Sequence, residues 1–224
     1  MKRYVYTAEG CDDRLISCLE EDGYSAVCVR TEGLTAGPLS RHPDMFMCRL
    51  GISDEAPIIS CLDLPGLDAP NAALPGQSYP QDIIYNAACT GRYFIHNLKF
   101  TAPALLTAAR DLGMELIDVR QGYTKCSTVI VDGSSVITYD KAIAAPCSAE
   151  GLDVLLIRPG HIRLPGYDTG FIGGTSGRLG DTVYFNGDLT SHPDCSAIIS
   201  FIESKGLRLK WFREWPLTDI GSLI

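Results

Sequence analysis

The order strand, strand, helix, strand recurs along this chain, and that recurrence constrains the fold more than any single motif. It reads clearly over residues 82–119, 124–157 and 168–212, and once more over 44–62 with the helix missing. The two ends complete each other: a final strand over 219–224, then a strand at 2–7, a helix at 11–19 and a strand at 24–30. That makes five units. A chain whose first unit lacks its opening strand, and whose last residues supply one, is expected to close into a ring. Closure also removes exposed sheet edges. The alternative is an open α+β sandwich with coincidentally regular order.

Local signals place the elements. Asp82–Cys89 reads as a strand turned at Thr90-Gly91 into Arg92–His96. Thr101 is expected to cap a helix with Pro103 in its first turn, and Leu105, Ala108, Ala109 and Leu112 would form its buried face. Cys126 is expected to open a strand that Asp132-Gly133-Ser134-Ser135 turns back. Ala142–Glu150 reads as a weak helix spoiled by Pro146. Asp168–Gly174 is expected to lead a strand, with Thr175–Asp181 turning it and Thr182–Asn186 returning. Ser191 is expected to cap a helix carrying Ile198, Phe201 and Ile202 on its core face. Leu64–Gln81 holds four prolines and two glycines, so it reads as a surface loop.

The 224 residues suffice for one domain spanning 1–224. The net charge of -8 is the wrong balance for a protein that neutralises phosphates, so no nucleic-acid partner is expected. Acids gathered in a cleft would instead favour a small cation. No apolar signal core follows the opening Met-Lys-Arg, and no run approaches a membrane span. The nine cysteines are odd in number and form no CxxC pair, so they read as reduced thiols of a cytoplasmic protein. With four histidines, a structural zinc site is not expected.

Each unit's first strand begins with a polar residue: Asp44, Asp82, Cys126, Asp168 and Asp219. In a ring, equivalent positions face one central channel. Four carboxylates and a thiol would then converge, at a cost in like-charge repulsion that folding alone has no reason to accept. Each residue also has a plainer reading. Most free cysteines are small buried thiols. Asp82 alone caps a strand turn, and His42 is a loop histidine. His192-Pro193-Asp194 repeats the tripeptide of His42-Pro43-Asp44 at a helix start, where it reads as structural. Gly173-Gly174-Thr175-Ser176-Gly177 precedes no helix, so it reads as a hairpin turn rather than a phosphate loop.

On these residues the chain resembles the pentein superfamily, the guanidine-modifying fold of arginine and agmatine deiminases, dimethylarginine hydrolases and amidinotransferases. His42-Pro43-Asp44 resembles the family's His-x-Asp, Lys125-Cys126-Ser127-Thr128 its nucleophile strand, Tyr167-Asp168-Thr169-Gly170 its Arg-Asp-Thr-Gly, and Asp219-Ile220-Gly221-Ser222 its Glu-Gly-Gly-Ser. The cyclic order is preserved, so the chain would be a circular permutation opened within the Glu blade. Asp219 replaces the family's Glu, Tyr167 its Arg, and Gly122 is all that remains of the glycines before the nucleophile. A rival register matches Gly166-Tyr167-Asp168-Thr169 to His-Leu-Asp-Thr; it leaves no catalytic histidine.

The resemblance implies a five-bladed ββαβ propeller of α+β class, its terminal strands closing one blade. It implies a cysteine hydrolase of a small guanidino or amidino compound. Cys126 would attack the central carbon, and His42, beside Asp44, would protonate the leaving amine and then activate water. Asp44, Asp82, Asp168 and Asp219 would hold the cation, and Lys125 would lower the thiol pKa. No metal or organic cofactor is called for. The alternative is a non-catalytic pentein that binds a small molecule or, like the translation initiation factor six group, the ribosome.

Overall fold

The computed structural model describes residues 2–31, 37–68 and 72–224. The expected loop over 64–81 therefore lies partly outside the described residues. In chain order the elements are β1 (Arg3–Ala8), α1 (Asp13–Glu21), β2 (Tyr24–Val29), β3 (Met47–Arg49), β4 (Ile58–Ser60), β5 (Ala88–Cys89), β6 (Tyr93–His96), α2 (Pro103–Asp111) and β7 (Glu115–Asp118). They continue as α3 (Thr124–Ser127), β8 (Thr128–Ile130), β9 (Ser135–Thr138), α4 (Lys141–Ala149), β10 (Asp153–Leu156), β11 (Ser176–Leu179), β12 (Thr182–Phe185), α5 (Cys195–Ser204) and β13 (Arg208–Lys210). The class is α+β, with five small sheets among the described residues.

Three sheets share one plan. An antiparallel hairpin is followed by a helix that returns the chain to a third strand, parallel to the second: β5-β6-β7 with α2, β8-β9-β10 with α4, and β11-β12-β13 with α5. β3 and β4 form the hairpin alone. β1 and β2 form the parallel pair alone, joined through α1, with Arg3 opposite Tyr24. The two chain ends meet: Tyr6 and Ile224 exchange both backbone hydrogen bonds, at 2.8 and 3.0 Å. Residues 219–224 form no regular strand, but Ile220 and Ser222 donate to the Gly174 carbonyl and Leu223 donates to that of Ser176.

The helices form for local reasons. Asp12 caps α1 by accepting from the Arg14 amide, and Asp140 caps α4 through the Ala142 amide. α4 runs unbroken through Pro146, because Ile143, Ala144 and Cys147 bury its inner face. The caps expected at Thr101 and Ser191 are not made. α2 starts at Pro103 without a side-chain cap, and Thr101 instead meets His96 Nδ1 at 2.8 Å. α5 starts only at Cys195, and Ser191 ends a separate 3₁₀ turn.

Five apolar clusters form the core. Phe46, Cys48 and Leu50 pack on Tyr85, Phe94 and Leu105. Tyr93, Ile95 and Ile117 pack on Ile130, Val136 and Ile143. Val129, Val131 and Ile137 pack on Val183, Phe185 and Ile198. Leu179 and Tyr184 pack on Val5, Leu15 and Tyr24. Tyr6 and Val29 pack on Met47.

The lead-ins to the hairpins differ from expectation. Each is a single tight turn, not a strand start. Pro43–Met45 and Gly173–Thr175 are 3₁₀ turns, and Thr124–Ser127 is one turn of α-helix. Of the strand expected over 82–89, only Ala88–Cys89 forms, because Asn86 and Ala87 bond back to Ile83 and Tyr85. β11 occupies the stretch expected to be a turn. Gly173 and Gly174 are points of close contact: a Cβ on Gly173 would collide with the Lys125 carbonyl, and one on Gly174 with the Asp219 carboxylate.

Candidate functional site

The tight turns bring Asp44, Asn86, Lys125, Cys126, Gly173, Asp219 and Ser222 together. Cys126 sits in the one-turn helix α3, 1% exposed. Its thiol donates to Asp44 Oδ2 at 3.0 Å. Ser222 donates to the same oxygen at 2.8 Å, and Lys125 Nζ donates to Ser222 Oγ at 2.9 Å. A chain of polar contacts thus runs from the ammonium through a hydroxyl and a carboxylate to the thiol. Ser222 holds a left-handed φ of 69°, unusual for a non-glycine residue, and that turn aims its hydroxyl inward.

Asn86 holds α3 in place. Its Oδ1 accepts from the amides of Lys125 and Cys126 at 2.8 and 3.1 Å, and its Nδ2 donates to Cys126 Sγ at 3.2 Å. Asp219 accepts from the Phe171 amide at 2.9 Å and the Gly221 amide at 3.0 Å. His42 packs so closely on Gly221 that no Cβ would fit there. His42 Nδ1 lies 3.7 Å from Asp219 Oδ1, too far for a hydrogen bond, and it has no partner among the described residues. Asp44 Oδ1 is likewise buried without a partner among the described residues.

Burial governs the charges. It pushes Asp219 up to about 6 against two opposing backbone hydrogen bonds. It raises Asp44 despite His42, the thiol and Lys125. It lowers Lys125, opposed by Asp44, and lowers His42, opposed again by Asp44. The Cys126 thiol is pushed well above its ordinary value by burial first, then by Asp44 and Asp219. At neutral pH Cys126 is therefore a thiol and His42 a neutral imidazole, so the 3.7 Å contact is not an ion pair. The expectation that Lys125 lowers the thiol pKa is overridden by burial and the two carboxylates.

Two expected members are elsewhere. Asp168 is exposed on a loop and makes no hydrogen bond to the cluster; Gly173 and Gly174 stand in its place. Asp82 is buried but accepts the Tyr123 hydroxyl at 2.9 Å, and Asn86 stands in its place. Tyr123 continues into an aromatic row, 6.2 Å from Phe171, which stacks on Tyr139 at 5.7 Å. Asn86 was missed because it is not ionisable, and Ser222 was named only as the end of the Asp219-Ile220-Gly221-Ser222 motif, with no role of its own. A signal for the fourth unit was present: Asp44, Cys126 and Gly173 each lie seven residues before a hairpin glycine, Gly51, Gly133 and Gly180.

His42, Cys126 and Asp219 present ligand atoms within 4.8 Å of one another, a set whose chemistry suits a metal such as zinc. An open pocket of about 470 Å³ reaches His42 and Asp219 past Gly10, Arg41 and Leu164. No helix among the described residues is long and apolar enough to cross a membrane.

Fold and cluster together define a small α+β protein with a buried thiol–carboxylate centre. A family model matches residues 7–224, and the chain belongs to that family, DUF6873, a family of unknown function. No curated protein and no solved structure matches the chain.

Proposed function

We propose that the chain is a five-bladed, pentein-like propeller that binds a small guanidino or amidino cation at this cluster and attacks it with Cys126. The apolar clusters support the propeller. Each joins two sheets, and the series passes from β3-β4 through the three larger sheets and β1-β2 back to β3.

The observation that carries the function is the pair of unpartnered buried atoms, Asp44 Oδ1 and His42 Nδ1, beside a buried thiol and a second buried carboxylate. Orphaned polar atoms in a buried site call for a ligand. A planar cation donates paired N–H groups to carboxylates. Held by Asp44 and Asp219, it would offset the two negative charges that keep the proton on sulfur. Cys126 would pass that proton to His42 and bond to the central carbon. The amine would leave with the proton. Water, giving a proton to His42, would then attack the adduct and break the C–S bond, returning the thiol.

The second reading is a binder that uses the same cluster without chemistry. It is favoured by the near-complete burial of the thiol. A panel of small guanidino and amidino compounds separates the two. Ammonia or amine release by the native protein and not by Cys126→Ser supports the hydrolase. Saturable thermal stabilisation of both proteins without release supports the binder.

A further inference from the structure

We propose that the cavity bounded by Arg49, Lys125 and Arg178 is a binding site for a small inorganic oxyanion of phosphate size. The cavity measures about 40 Å³. A single water needs about 10–15 Å³ on the same measure, so there is room for more than one water. Three cationic side chains line this small space in a chain of net charge -8.

The two arginines are not neutralised by direct contact. Among the described residues neither makes a salt bridge. Arg49 donates to the backbone carbonyls of Asp54, Ser53 and Tyr4, and Arg178 to that of Gly180. Among the described residues each keeps one buried nitrogen without a partner, Nε of Arg49 and Nη1 of Arg178. The nearest carboxylates are committed elsewhere. Asp54 holds Arg3, Tyr24 and the Gly180 amide; Asp132 holds Ser134; Asp181 holds Arg208 and Thr182. Burial pulls both guanidinium groups down, a cost that a nearby negative charge removes. Asp54 offsets that cost in part at both arginines, and Asp132 and Asp181 do so at Arg178. None of them bonds the free N–H groups, and water would satisfy those N–H groups without adding charge. A tetrahedral oxyanion answers both, because the guanidinium fork matches it in geometry as well as sign.

Lys125 ties this cavity to Ser222 and the thiol centre, but the site stands independently of the chemistry proposed there. Calorimetric titration with sodium phosphate at fixed ionic strength tests it. The native protein and Cys126→Ala should bind one equivalent with equal affinity, and Arg49→Gln and Arg178→Gln should each lose at least tenfold. No saturable heat, or native-like affinity in either arginine variant, overturns the proposal. Crystals of the native protein soaked in selenate give a second readout that needs no variant. An anomalous peak between the two arginines supports the site, and water alone there overturns it.

Discussion

Cys126 gives its thiol hydrogen to Asp44 Oδ2 at 3.0 Å, across 82 residues of sequence. A carboxylate in that position favours the thiol over the thiolate. Asp44→Asn removes the charge at nearly constant shape, so the Cys126 pKa should fall toward its ordinary value while remaining raised by burial. Thiolate absorbance against pH, referenced to Cys126→Ala, measures the shift. An unchanged or higher value would show that Asp44 does not govern the thiol.

Asp219 sets a pH dependence. Its folded value of about 6 lies above the ordinary 3.8. A raised value means the folded state holds its proton more tightly than the unfolded chain. The stabilisation is fully present below about pH 4 and is lost as pH rises through about 6. Two units correspond to about 3 kcal/mol. In urea denaturation, Asp219→Asn should gain relative to the native protein by roughly that amount between pH 4 and pH 7. A bound cation should shrink the difference.

Asn86 is expected to matter more for structure than for charge. Asn86→Ala leaves the Cys126 amide without its acceptor in a buried place, whereas the Lys125 amide keeps the Asn86 backbone carbonyl at 3.0 Å. An unsatisfied buried group costs about 1–3 kcal/mol, and a loss of that size is expected in denaturant unfolding. Asn86→Asp keeps the acceptor but adds a third buried carboxylate, so it should be destabilising at pH 7 and milder at pH 4.

Gly173→Ala tests the contact between the fourth lead-in and α3. The new methyl would meet the Lys125 carbonyl and the Thr128 backbone, neither of which can swing aside. A loss of about 3 kcal/mol is expected by overpacking. Gly133→Ala, where a Cβ meets nothing within 4 Å, should lie near native stability.

The hairpin–helix–strand units could be read in the sequence because their helices have apolar faces at regular spacing and their hairpins have glycine turns. Cys126, Asp44 and Asp219 could be read because each comes just before a unit's first strand, and His42 and Lys125 because they stand beside them in the quoted motifs. Asp82 and Asp168 misled because a carboxylate before a strand looks like a strand start, whereas each hairpin is entered through a turn that moves the inward position several residues on. The amide of Asn86 gave no signal, and Ser222 stood in the sequence only as the last residue of Asp219-Ile220-Gly221-Ser222, because their roles rest on contacts that only the folded chain assembles.

The most direct test of the central claim compares 2-chloroacetamidine with its neutral isostere, chloroacetamide, by mass spectrometry of all nine cysteines. The cation should modify Cys126 first and lose that preference in Asp44→Asn and Asp219→Asn, while the amide should modify exposed Cys28 first. If both reagents modify the cysteines in the same order, with Cys126 last, the cluster does not recruit an amidine and the proposed function is wrong.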